Sequence, residues 1–253
     1  MLFVCKNSEM GIFLDNFHKI YQNGNYKREV IEMVTRMEYL QKLLDWKDEK
    51  VIKVITGIRR CGKSTLLLQY QEHLKEQGID DSQIISVNFE DLQYEELLDY
   101  KTLYDYIQKR LCKDKMTYIF LDEIQKVDSF EKVVDSLHIK EHTDIYLTSS
   151  NAYMLSSDLA TLLTGRYVEL SMLPLSFKEY SQLTNDTSEH SFSEYMRYGG
   201  LPYVAAMDKT EEKADMYLEG IYNTVIVRDI EERQSRPKGN SSKRDIINFP
   251  LGG

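Results

Sequence analysis

The stretch VIKVITGIRRCGKSTLLLQY, residues 51–70, constrains the fold more than any other part of this 253-residue chain. A β-branched apolar run, a turn rich in glycine and positive charge, and a leucine-rich segment at helical spacing follow one another without interruption, which reads as strand, loop and helix. Within it, Gly57-Ile58-Arg59-Arg60-Cys61-Gly62-Lys63-Ser64 fits G-x-x-x-x-G-K-[ST] in the strand-to-helix setting that the pattern requires. Glycines let backbone N–H groups converge on phosphate oxygens, and the first helical turn aims its partial positive charge at the same anion. Lys63 is then expected to reach the β- and γ-phosphates and Ser64 to offer its hydroxyl to magnesium. Ile58, Arg59, Arg60, Cys61 and Thr65 complete the expected cradle from Gly57 onward. A glycine-rich turn with no ligand is the competing reading, and the two flanking elements weigh against it.

The rest of the chain alternates in the same way. QIISVNF (83–89), MTYIFLDE (116–123), TDIYLTSSN (143–151) and GRYVELSML (165–173) are further strand candidates. Between and before them lie segments with helical spacing: NYKREVIEMVTRMEYLQKLLDWKDEK, KSTLLLQYQEHLKEQG stopped by Gly78, DLQYEELLDYKTLYDYIQKRLCK, and DSFEKVVDSLHIK. Strands alternating with helices predict an α/β fold with a parallel five-stranded sheet covered on both faces.

Composition narrows the function classes. With 42% hydrophobic and 29% charged residues and a mean hydropathy of −0.46, the chain reads as a soluble globular protein. No apolar run has the length a membrane crossing needs, and the N-terminus is charged too early for a secretory signal, so a cytoplasmic location is expected. Cys5, Cys61 and Cys112 are too few and too scattered for a disulfide framework or a zinc site. His138 and His142 have helical i,i+4 spacing without a third ligand nearby, which favours a surface face over zinc. A net charge of −9 argues against a globally basic nucleic-acid binder and leaves a local basic face open. The 18 tyrosines suggest packing and lid surfaces.

A phosphate loop by itself holds a nucleotide without hydrolysing it. YIFLDEIQ adds what hydrolysis needs: an apolar strand that delivers Asp122 and Glu123 at its C-terminal end, where ligands bind in open parallel sheets. Asp122 is the candidate partner of magnesium, and Glu123 the candidate base for the attacking water. Standing alone, two acids there would also serve as a helix cap.

This combination resembles the AAA+ superfamily, phosphate-loop ATPases with an additional strand between the two motif strands. More narrowly, GIRRCGKSTLL, LDEIQKVDSFEKVVDSL, DIYLTSSNAYMLSSDLATLLTGRYVELSMLPLSFKEY and YGGLPYV resemble, in this order, the bacterial and archaeal AAA_14-like ATPases whose AAA+ domain is followed by a DUF4143 domain. The likeness covers about residues 34–235. It implies a three-layer P-loop NTPase domain over 33–190 and a helical lid over 191–235, opened by Gly199-Gly200-Leu201-Pro202. Residues 1–32 would be an extension, with Met33 an alternative start, and 236–253 a linker-like tail of a truncated or frameshifted chain. Ser150 matches sensor 1, with Asn151 beside it and Ser149 where members commonly carry glycine. Asn88 matches the polar switch that restrains the catalytic glutamate. Arg166 matches an arginine finger reaching into a neighbouring subunit, against an intramolecular salt bridge as the other reading. Arg36 and Tyr39 would sit near the adenine, or simply form helix surface and core.

The resemblance implies a magnesium-dependent ATPase that binds ATP and ADP and self-associates through Arg166. A nucleotide-gated signalling module with little turnover, or an inactive fragment of a longer ATPase, is the alternative. Nucleic acid is a partner to consider for a longer homologue, and nothing in this sequence points to it or to a membrane.

Overall fold

β1 (Ile52–Gly57) is buried on both faces from Ile52 to Thr56. An apolar β-branched run without alternation does this only when helices cover both sides of the sheet. The computed structural model of the protein describes residues 34–150, 163, 165–207 and 210–235, with side chains of the last segment described to residue 223. The expected extension 1–32, Met33, Asn151 and the tail 236–253 lie outside the described residues.

All five expected strands form: β1, β2 (Ile84–Asn88), β3 (Thr117–Asp122), β4 (Thr143–Ser149) and β5 (Tyr167–Met172). Their order is β2-β3-β4-β1-β5, and every pairing is parallel. β4 therefore separates β1 from β3, so the loop after β1 and the acids after β3 sit at the same edge of the sheet with one strand between them. On one face pack α1 (Met37–Asp45) and α2 (Lys63–Glu76), where Leu40, Leu66 and Tyr70 meet Phe120 and Tyr146. On the other face lie α3 (Tyr100–Gln108) and α4 (Phe130–His138), with Leu103, Ile107, Val134 and Leu137 against Ile119, Leu121 and Ile145. Each is a continuous cluster of buried apolar side chains, the arrangement that makes apolar burial the main stabilising term.

Two helical expectations change. Residues 91–113 do not form one helix: a 3₁₀ segment (Leu92–Leu98) stops at Asp99, whose extended backbone (φ −76°, ψ 123°) restarts the chain as α3. The cause is local. Asp91 and Asp99 accept hydrogen bonds from the amides of Gln93 and Thr102, and an aspartate that caps a helix competes with continuing one. His138 and His142 also fail to share a helix face, because α4 ends at His138 and His142 turns the chain into β4 with φ +58°.

After β5 come α5 (Phe177–Thr184), α6 (Glu189–Tyr198), α7 (Pro202–Ala206) and α8 (Glu211–Ser235). Ser176 and Glu179 form a reciprocal capping box at the start of α5. The linker after β5 is clamped to the segment before α7 by a 2.7 Å hydrogen bond from Leu175 N–H to the Gly200 carbonyl. Only glycine fits at 200, since a Cβ there would lie 2.1 Å from the Leu175 carbonyl oxygen. No helix among the described residues is long and apolar enough to cross a membrane.

One polar cluster is built into the far edge of the sheet. Lys53, 1% exposed, donates to Asp144 Oδ1 at 2.5 Å and to the Glu49 carbonyl at 2.8 Å. Asp144 also accepts from the Tyr146 hydroxyl and the Asp48 amide, and Tyr118 donates to Asp48. Every member has a partner, which is what buried ions require.

Candidate functional site

The chain leaves β1 through a loop that must pass close to β5. A Cβ on Gly57 would stand 2.3 Å from the Met172 carbonyl oxygen, so the loop can begin only with glycine. Arg60 (φ +66°) and Gly62 (φ +104°) then curl the backbone into a concave turn, the kind that gathers N–H groups around an anion. Gly62 is the N-cap of α2, and the first amides of that helix, which have no carbonyl one turn back, face the same hollow. Lys63 is 4% exposed, and its ammonium donates to the carbonyls of Gly57 (3.1 Å) and Ile58 (3.2 Å) of its own loop. Among the described residues no carboxylate pairs with it. Cys61 is fully buried, and burial raises its thiol pKa, so it is the protonated, unreactive form that packs under the loop.

Asp122 ends β3 at 7% exposure, and its carboxyl pKa is raised mainly by burial, with hydrogen bonds from Thr148 and Ser64 opposing the shift. Ser64 at the start of α2 and Asp122 at the end of β3 thus face the same sheet edge. Glu123 follows in the left-handed region (φ 58°, ψ 45°), a costly conformation for a non-glycine residue. Three groups hold it there. Its N–H donates to Thr148 Oγ1 at 2.9 Å, and its Oε2 accepts from Gln125 Nε2 at 2.5 Å and from the Ser150 hydroxyl. Thr148, fully buried, in turn donates its own proton to Asp122 Oδ1. One threonine hydroxyl on β4 therefore ties the two acids of β3 into a fixed relation.

Thr148 and Gln125 are absent from the sequence-predicted site. Thr148 had a legible signal: it is a polar residue in a strand buried along its whole length, at the edge where the loop and the acids converge. Gln125 had none, since glutamine in a surface turn is unremarked in any single sequence. Asn88 does not restrain Glu123 here; its Oδ1 accepts from the Glu90 amide at 2.8 Å, closing the turn after β2. Ser150 spends its hydroxyl on the Glu123 carboxylate.

A cleft of about 870 Å³ opens over the loop, walled on one side by Arg59 to Thr65 and Glu123, and on the other by apolar and aromatic side chains of the helices after β5, including Leu183, Tyr203 and Tyr217. Two arginines tie the loop to those helices. Arg60 donates to the Tyr217 hydroxyl at 2.6 Å and lies over its ring, and Tyr217 packs on Tyr203 with centroids 4.7 Å apart. Arg36, 4% exposed, pairs with Glu179 on α5 at 2.6 Å and donates to the Cys61 and Leu173 carbonyls. Its guanidinium is spent on the protein, and the Tyr39 hydroxyl accepts from the Leu173 amide, so both residues are core fasteners rather than groups aimed at a base. Arg59 pairs with Glu90 at the cleft rim.

Arg166 stands apart. It is exposed at the start of β5, its carbonyl accepting from Ile52 N–H, and no described carboxylate pairs with it. β1 runs from that edge to the loop, so the arginine and the loop are separated by roughly 20 Å, six residues at about 3.3 Å each.

A family model described as an AAA domain matches residues 49–181, just over half of the chain and all of the elements that carry the loop and the acids. An uncharacterised protein of Haemophilus influenzae is 42% identical over 207 residues, covering 79% of this chain and 51% of that protein. An uncharacterised protein of Methanocaldococcus jannaschii is 33% identical over 202 residues, covering 73% of this chain and 43% of that protein. The chain thus spans about half the length of the curated relatives it matches. Among solved structures, a Walker-type ATPase of Pyrococcus abyssi aligns with a TM-score of 0.52 over 80% of this chain and 77% of its own, at 18% identity, a likeness of fold. With the strand order, the glycine-bounded loop and the two acids on adjacent positions of one sheet edge, the match leads to one assignment: this chain belongs to the AAA_14 family of AAA domains.

Proposed function

We propose that this chain binds ATP in the cleft above the loop and hydrolyses it to ADP and phosphate with magnesium. The observation that carries the reading is the arrangement at one sheet edge: a buried lysine without a counter-ion among the described residues, and two acids tied to each other through Thr148. A buried cation bonded only to carbonyls is poised to exchange them for phosphate oxygens, which carry full charge. The loop amides and the start of α2 would take the remaining phosphate oxygens. Ser64 and Asp122 fit a magnesium ion, which needs only one or two protein ligands beside phosphates and water. Bound there, magnesium would neutralise charge on the β- and γ-phosphates. Glu123, in the cleft wall, accepts the proton of the water that attacks the γ-phosphorus.

Lid aromatics give the base an apolar surface, and the Arg36 and Arg60 contacts let the lid respond to what fills the loop. Arg166 lies too far from its own loop to touch the same nucleotide, so any phosphate it stabilises belongs to a second copy of the chain. Self-association with ATP is therefore part of the proposal, in the cytoplasm where ATP is abundant. Nucleotide binding by calorimetry and phosphate release by the purified chain test the reading, with Lys63→Ala as comparison. Saturable binding and turnover lost together in Lys63→Ala support it. Turnover unchanged in Lys63→Ala would refute the site.

A further inference from the structure

We propose that Gln125 is a positioning residue that decides which carboxylate oxygen of Glu123 meets the attacking water, an inference that rests on Glu123 being the base. The terminal torsion of a glutamate is broad, so an unrestrained carboxylate presents either oxygen in turn. Here both available donors converge on Oε2: the Gln125 amide at 2.5 Å from the turn after β3, and the Ser150 hydroxyl from the end of β4. No described group donates to Oε1. The carboxylate is thereby pinned from two elements, and Oε1 is the oxygen left for water, with Glu123 lining the cleft.

Chemistry favours an amide for this task. A charge-assisted N–H···O⁻ bond is strong enough to orient the base, whereas a lysine in its place would form an ion pair and blunt the base. A second observation separates this role from simple folding. The Gln125 Oε1 is buried and without a partner among the described residues, an arrangement that costs the fold rather than helping it. The residue keeps an unsatisfied acceptor in order to present its donor. The main chain works to the same end, because the Glu123 N–H is fixed on Thr148 and its backbone is held in the left-handed region.

Gln125→Met, which keeps length and removes the donor, should lower kcat about tenfold or more while leaving KM and ATP affinity within roughly twofold, since the cleft is untouched. Gln125→Glu, which sets a carboxylate against a carboxylate, should lower kcat further and serves as a second variant should Gln125→Met fold poorly. In a Glu123→Ala background Gln125→Met should have no additional effect, the signature of a residue that acts through the base. Wild-type kcat in Gln125→Met and Gln125→Glu, alongside slow turnover in Glu123→Ala, would overturn the positioning role and leave the base assignment standing. The same factor lost in both backgrounds would also overturn it. Wild-type turnover in Glu123→Ala would instead overturn the base assignment and this inference with it.

Discussion

Lys53 near the start of β1 and Lys63 at the start of α2 are buried almost equally, 1% and 4% exposed, yet the protein surrounds them in opposite ways. Lys53 has a carboxylate at 2.5 Å and a carbonyl, and that carboxylate accepts in turn from the Tyr146 hydroxyl and the Asp48 amide. Lys63 has two carbonyls of its own loop and no counter-ion among the described residues. A buried charge with its partners in place holds a fold together; one left short of a counter-ion marks where an anion is to come from outside. The sequence pattern singles out Lys63, whereas nothing in it explains the burial of Lys53, whose partner, Asp144 on β4, is tertiary.

That contrast can be broken by substitution. The largest effect should come from Asp144→Ala, which strands Lys53 in the core: about 3–5 kcal/mol of stability is lost, read by denaturant unfolding, while the ATP affinity of the folded protein stays unchanged. Loss of affinity without loss of stability would reverse the roles assigned to the two lysines. Lys63→Ala should do the opposite, weakening ATP binding on the order of 10–100-fold through a lost charged hydrogen bond with the melting temperature held or raised. Thr148→Val comes next. It removes the Thr148 donor from Asp122 and leaves the Glu123 N–H without its acceptor, costing about 1–3 kcal/mol and slowing turnover. A stability loss with unchanged turnover would show that the bridge serves the fold alone.

A pH titration sharpens the acid side of the comparison. Burial raises the Asp122 carboxyl above its ordinary 3.8, so the folded protein holds a proton there that the unfolded chain has released. The stability from this group is present below pH 3.8 and is lost as pH rises through the raised value. Asp144 is also pushed up by burial, so the difference between wild type and Asp122→Asn isolates Asp122. Asp122→Asn should flatten this part of the curve and stabilise the nucleotide-free protein at neutral pH. The smallest effect belongs to Tyr217→Phe, which removes an exposed hydrogen bond to Arg60 and should alter ATP affinity by no more than about fivefold, equivalent to about 1 kcal/mol for a typical hydrogen bond.

The strands, the loop and the acids were legible because each rests on short-range pattern: a β-branched run, fixed glycine spacing, two acids at a strand end. The break at Asp99 was less so, because an aspartate inside a helically spaced stretch announces a cap only once its side chain is seen on the Thr102 amide. Asn88, matched by position to a restraint on Glu123, is claimed by its own turn. Gln125, Thr148 and the Arg36–Glu179 pair act across the fold, the last over 143 residues of sequence, and such partners leave no periodicity to read. Gly57 could be read as part of a motif, whereas the reason it must be glycine, the Met172 carbonyl on the neighbouring strand, is tertiary.

Steady-state phosphate release with magnesium and ATP, measured for wild type and Glu123→Gln beside ATP binding by each, tests the hydrolytic assignment most directly. Turnover should fall by roughly 10²–10⁴-fold in Glu123→Gln, the usual worth of a general base, with ATP still bound. Equal turnover by the two proteins, both binding ATP, would contradict it.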